Sequence, residues 1–121
     1  MSLASKYHLA NTKFENNAAT LLRNIYADES FTDVTLSCDD GKVLKAHKIV
    51  LSASSAVFSK ILMQYSDTNP LIYFGETSYK HIEYILQYAY VGELSVEEKE
   101  LKQFMKVVNK FKINGLYSEK T

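Results

Sequence analysis

The period of the sequence changes abruptly at His47, and this change limits the fold more than any other feature. From Asp33 to Cys38 the residues alternate. Val34, Leu36 and Cys38 lie on one side, with Asp33, Thr35 and Ser37 on the other. Alternation marks a strand with one covered face. Asp40-Gly41 follows, a pair in which both residues can take positive φ, and "KVLKA" returns as the second strand of a hairpin. With no linker between, the chain enters "HKIVLSASSAVF", where the apolar residues are spaced for helix. A hairpin that feeds straight into helices implies a short sheet laid against a helical layer.

The remaining segments supply those helices. "YHL", Tyr7 to Leu9, is a short extended candidate ahead of the first one. Phe14, Ala18, Leu21, Leu22 and Ile25 form a single predicted apolar stripe. Ser54 or Ser55 can cap "AVFSKILMQY", with Phe58, Ile61, Leu62 and Tyr65 turned inward. "SDTNP" breaks that helix, and "LIYF" reads as a short buried strand ended by Gly75. Thr77 or Ser78 caps "YKHIEYILQYAYV", which carries the stripe Ile82, Ile85, Leu86 and Ala89 and stops at Gly92. "ELSV" is a short extended piece. "EEKELKQFMKVVNKFK" then places acids in its first turn and lysines in its last, each opposing the adjacent dipole end, with Leu101, Phe104, Met105 and Val108 inward. Five or six helices and a few short strands make an α+β class: a helical cluster flanked by a short-stranded sheet. The 121 residues suit one domain, 1–121, with 1–6 and 118–121 expected to fray.

Reactive chemistry finds little support. Asp33, His47 and Ser52, Ser54 or Ser55 supply the residue types of a triad, but no G-x-S-x-G elbow and no glycine-built oxyanion site accompany them. The serines read as caps and as small residues for close packing, and no catalytic residue is assigned. His8, His47, His81 and Cys38 fall on separate elements without ligand-pair spacing, so no metal and no cofactor are expected. His47 reads as a packed corner residue whose ring nitrogens satisfy buried backbone groups. Fourteen basic and fourteen acidic residues cancel, which argues against direct nucleic-acid binding. Lys99, Lys102, Lys106 and Lys110 read as a solvated face rather than an anionic partner's surface. One cysteine allows no internal disulfide and fits a reducing compartment. No apolar run approaches membrane length, and the first residues lack a secretory h-region, so a soluble intracellular chain is expected.

Two features point to association. Tyr84, Tyr88 and Val91 lie opposite Ile82, Ile85 and Leu86, so that helix is either central or shared with a partner; the central reading is the simpler. "YHL" has no neighbouring strand in the sequence, and a lone strand is not stable. The unpaired edge open to it is "ELSV". If its own copy lies out of reach, a second chain supplies it, giving an isologous dimer with exchanged arms.

"FTDVTLSCDDGKVLKAHKIVLSASSAVFSKIL", then "LIYF" and "YILQYAYVGEL", closed by "INGL", resembles the BTB/POZ domain. The similarity runs from about Tyr7 to Tyr117. It is closest to the tramtrack-type subgroup, found at the N-termini of zinc-finger and other transcription and chromatin factors. That subgroup begins approximately F-x-L-R-W-N-N-Y. Here "YHLANTKF" keeps the aromatic ends and Leu9 but not the Arg-Trp-Asn-Asn centre. The resemblance therefore implies a dimer and leaves larger assemblies open.

It further implies a nuclear protein-interaction domain, pairing with itself or other BTB domains and offering a surface to transcriptional co-regulators. Tyr7, Leu9, Phe14, Ala18, Leu21, Leu22 and Ile25 are the expected self-association surface, with Leu94 and Val96 the edge that receives the arm. Asp33 and Lys48 match the family's charged-pocket pair. If they form a desolvated ion pair, loss of one partner costs about 3–5 kcal/mol. The alternative is a substrate adaptor for a cullin ubiquitin ligase. Such domains usually carry an apolar-x-Glu element where this chain has "ILMQYSDTNP", without glutamate.

Overall fold

The computed structural model describes residues 4–118. Helix α1 is Phe14–Asp28, followed by strands β1, Val34–Cys38, and β2, Val43–Ala46. Helices α2, Lys48–Ser54, and α3, Ala56–Leu62, come next, and α3 runs on into a 3-10 turn at Met63–Tyr65. Strand β3, Leu71–Phe74, precedes the longer helices α4, Tyr79–Val91, and α5, Glu98–Phe111.

The sheet has the order β2-β1-β3. β1 and β2 are antiparallel, with Leu36 opposite Leu44, while β3 runs parallel to β1, with Leu36 opposite Ile72. Val34, Leu36, Cys38 and Phe74 are buried on the helical side, as the alternation predicts. The hairpin turn differs from expectation. Of Asp40 and Gly41 only Gly41 has positive φ, 81°. Gly41 N–H donates to the Cys38 carbonyl at 3.0 Å and Cys38 N–H to that of Lys42 at 3.1 Å. This is a turn closed by a glycine bulge rather than a two-residue loop.

The helical corner is built by Ser55, which is fully buried. Its extended backbone (φ −151°) separates α2 from α3. Its hydroxyl accepts from Phe58 N–H at 3.1 Å and donates to the Phe111 carbonyl at 2.5 Å, so one cap also locks the end of α5. Ser78, not Thr77, caps α4. α4 packs on α1, α2 and α5, and its second face (Tyr84, Tyr88, Val91) lies half-buried against the core, which makes it the central helix.

Three apolar stripes are displaced from the sequence reading. Along α3 and its 3-10 turn Phe58 and Leu62 are buried, whereas Ile61 and Tyr65 are exposed. In α5 the buried line is Phe104, Val108 and Phe111, whereas Leu101 is exposed. In α1 no residue is buried at all. Two short pieces read as extended, Tyr7 to Leu9 and Glu93 to Val96, pair with no strand among the described residues. Of the expected frayed ends, 1–3 and 119–121 lie outside the described residues.

Candidate functional site

The α1 stripe divides in two. Leu22, Ile25 and Tyr26 lie half-buried against the core, and the Tyr26 ring stacks on that of Tyr90 at 4.7 Å. Phe14 and Leu21 face away, 56% and 58% exposed, while Ala18 is intermediate between the two sets. Ahead of them Tyr7 and Leu9 are 85% and 89% exposed. A fifteen-residue helix that shows two large apolar side chains and buries none leaves an apolar face without a cover.

A buried node joins this helix to the hairpin corner. His47 and Tyr90 are both buried. The Tyr90 hydroxyl accepts from the His47 backbone N–H at 2.8 Å and lies 2.5 Å from Nδ1 of the ring. Nε2 lies 2.5 Å from the Ser30 carbonyl, which can only accept, so Nε2 carries a proton, while Nδ1 and the Tyr90 hydroxyl share the second hydrogen bond. Burial pushes the Tyr90 hydroxyl up to about 12. Ser30 is flanked by two residues in the left-handed region, Glu29 (φ 53°) and Phe31 (φ 64°), which aim its carbonyl at the ring. Phe31 is left 88% exposed, and Ile49, two residues beyond His47, is 77% exposed. Both therefore sit at the seam where the α1 end meets the α2 start.

Both ring nitrogens of His47 are thus engaged, and neither partner is a serine hydroxyl. Ser54 donates to the Val50 carbonyl at 2.8 Å, and Ser55 is committed to its cap. Triad geometry does not form. Among the described residues no group of three His, Cys, Asp or Glu side chains converges, and burial raises the Cys38 thiol above its usual range. No described helix is long and apolar enough to cross a membrane.

Asp33 and Lys48 are brought together, but through different atoms from those expected. The Asp33 carboxylate accepts the Lys48 backbone N–H at 2.7 Å, capping the first turn of α2. The Lys48 ammonium turns the other way and donates to the carbonyls of Tyr65, at 2.6 Å, Ser66, at 3.2 Å, and Thr68. It thereby ties α2 to the loop before β3. Within one chain this is a shared anchor rather than a side-chain ion pair.

Leu94 and Val96, half-buried, line an apolar hollow of about 260 Å³ with Tyr88, Leu101, Met105 and Leu116. Their segment lies beside α5, whose first turn is held to α4 by Lys80–Glu97 at 3.0 Å and His81–Glu100 at 2.9 Å. Sequence reading missed Tyr26, Tyr90 and Ile49. Only the all-round apolar character of α4 hinted at Tyr90. Ile49 carried no signal, because an isoleucine in a short helix is expected to point inward.

A three-stranded sheet on a helical cluster with an uncovered first helix defines the α+β class of this domain. The chain belongs to the BTB/POZ domain family, whose model matches residues 22–120. This is a family of protein-interaction domains. Among curated proteins of Drosophila melanogaster it is similar to Longitudinals lacking protein-like, 38% identical over 116 residues, 96% of this chain and 91% of that protein. It is also similar to Protein tramtrack, alpha isoform, 32% identical over 117 residues, and to Broad-complex core protein, 31% identical over 103 residues. Those matches take in 96% and 85% of this chain but only 14% of each relative. In fold it matches the BTB domain of zebrafish PATZ1, with a TM-score of 0.77, 22% identity, and 92% and 91% of the two chains covered.

Proposed function

We propose that the domain pairs with a second copy of itself, using α1 as the centre of the contact. The observation that carries this reading is a helix with no buried residue whose Phe14 and Leu21 stand in solvent. Because each is little more than half exposed, covering each contributes about 1–1.5 kcal/mol. Tyr7 and Leu9 extend the apolar surface along the arm, and Ile49 and Phe31 extend it at the α2 seam. The unpaired segment with Leu94 and Val96 receives the arm of the partner, and Asp33 and Lys48 frame the surface open to co-regulators. By its resemblance to tramtrack-type domains, the parent protein is a nuclear regulator that uses this unit to multimerise, with itself or with other BTB domains.

The test is absolute mass in solution by light scattering at micromolar concentration. The expected result is twice the chain mass of 13.8 kDa. Leu21→Asp, which buries a charge in the contact, reduces it to one chain mass with helical content largely kept. Deletion through Lys13 weakens the dimer without abolishing it. A wild-type monomer under these conditions overturns the proposal.

A further inference from the structure

β3 ends the sheet, and its outer edge carries no strand among the described residues. Thr35 N–H donates to the Pro70 carbonyl at 3.0 Å, which sets the phase of the pairing. Pro70, Ile72 and Phe74 turn their backbone groups toward β1, so those of Leu71 and Tyr73 point to the open side. The four-residue strand, "LIYF", is short, but it has no charge, no bulge and no internal proline to blunt its edge. The Leu71 and Tyr73 side chains are both exposed on the outer sheet face. The Tyr73 hydroxyl donates to Asp39, which also takes the Glu76 N–H at 2.8 Å, so the ring is held at the end of the strand.

Along this edge runs an apolar groove of about 160 Å³, walled by Phe58 and Ile61 of α3, β3 itself, and Lys110 and Phe111 of α5. No residue of β1 lines it, which puts it on the open side. The Lys110 ammonium rests 5.4 Å from the Phe111 ring centroid and is in no ion pair among the described residues.

We propose that the β3 edge binds an extended peptide segment of a partner protein as a fourth strand. The backbone of that segment pairs with Leu71 and Tyr73, one apolar side chain fills the groove between Ile61 and Phe111, and an acidic residue meets Lys110. A second copy of this chain fits less well. In a β3-to-β3 pairing the groove-side residues of the incoming strand are Ile72 and Phe74, which are already packed against their own core. The proposal is independent of the α1 dimer, because the edge lies on a different element.

The experiment uses the whole domain and a synthetic probe, acetyl-Glu-Val-Thr-Val-Thr-Glu-amide, followed by amide hydrogen exchange and chemical shifts. Saturation slows exchange at Leu71 and Tyr73 by about tenfold or more, while Ile72, already paired with β1, changes little. Ile61→Lys, which fills the groove with charge, and Tyr73→Pro, which removes one outward N–H, each weaken the probe by about tenfold or more. If Tyr73→Pro does not fold, Ile61→Lys decides alone, since it leaves the strand backbone intact. Unchanged exchange at Leu71 and Tyr73 with millimolar probe overturns the proposal. So does binding that shifts only residues 93–96. Protection of the edge without probe, with mass rising above the dimer, also overturns it and assigns the edge to a second copy.

Discussion

Replacing Tyr90 by phenylalanine removes one oxygen atom and tests the node that holds α1, the hairpin and α2 together. The ring keeps its volume and its stack on Tyr26, so packing is preserved. Two buried groups lose their partner: the His47 backbone N–H, bonded at 2.8 Å, and Nδ1 of its ring, at 2.5 Å. A buried polar group left unsatisfied costs about 1–3 kcal/mol, so with both stranded the loss is about 2 kcal/mol or more. Urea unfolding at fixed protein concentration reads this as a lower midpoint with unchanged slope. A second arm uses pH. Burial lifts the Tyr90 hydroxyl from 10.0 to about 12. An acid raised on folding holds its proton more tightly in the native state, so the stability it contributes is complete below about pH 10 and is lost as pH climbs toward 12. The wild type therefore weakens across that window more than Tyr90→Phe does. A variant as stable as the wild type at neutral pH, with the same alkaline decline, refutes the account of the node.

Two further substitutions probe other joints. Asp33→Ala removes the acceptor for the Lys48 N–H and costs about 0.5–2 kcal/mol in urea unfolding, whereas Asp33→Asn, which keeps an acceptor oxygen, costs little. A loss of about 3–5 kcal/mol for both variants would instead reveal a desolvated ion pair. Gly115→Ala places a Cβ 2.6 Å from the Tyr88 hydroxyl at a backbone with φ of 85°. The left-handed conformation alone costs about 1–2 kcal/mol, and an unchanged thermal midpoint would contradict the contact.

The hairpin, the corner at His47 and the central place of α4 were legible because each rests on local periodicity and local turn chemistry. Even so, the number of positive-φ residues in the hairpin turn was not, since two turn types fit Asp-Gly and hydrogen bonds across the ladder select one. Ser78 and Thr77 were equivalent as caps until the backbone chose. The α1 stripe was mis-set for a general reason. Phe14 and Leu21 fall on one side of the stripe and Leu22, Ile25 and Tyr26 on the other, and only contact with α4 decides which side turns inward. The His47–Tyr90 bond joins residues 43 positions apart, beyond any local pattern. Asp33 and Lys48 meet, but residue type could not say that the amide, not the ammonium, faces the carboxylate.

The absence of any buried residue in α1 also bears on how copies of this protein are counted inside a cell. Segments with little buried surface open most readily, and opened segments are what proteases and chaperones engage. A copy without a mate carries a helix with no buried residue and an uncovered apolar face in the same fifteen residues. If two copies pair through α1 as proposed, the contact hides both at once, and the survival of each chain is then tied to finding another, so that unmatched copies are cleared first without a dedicated sensor.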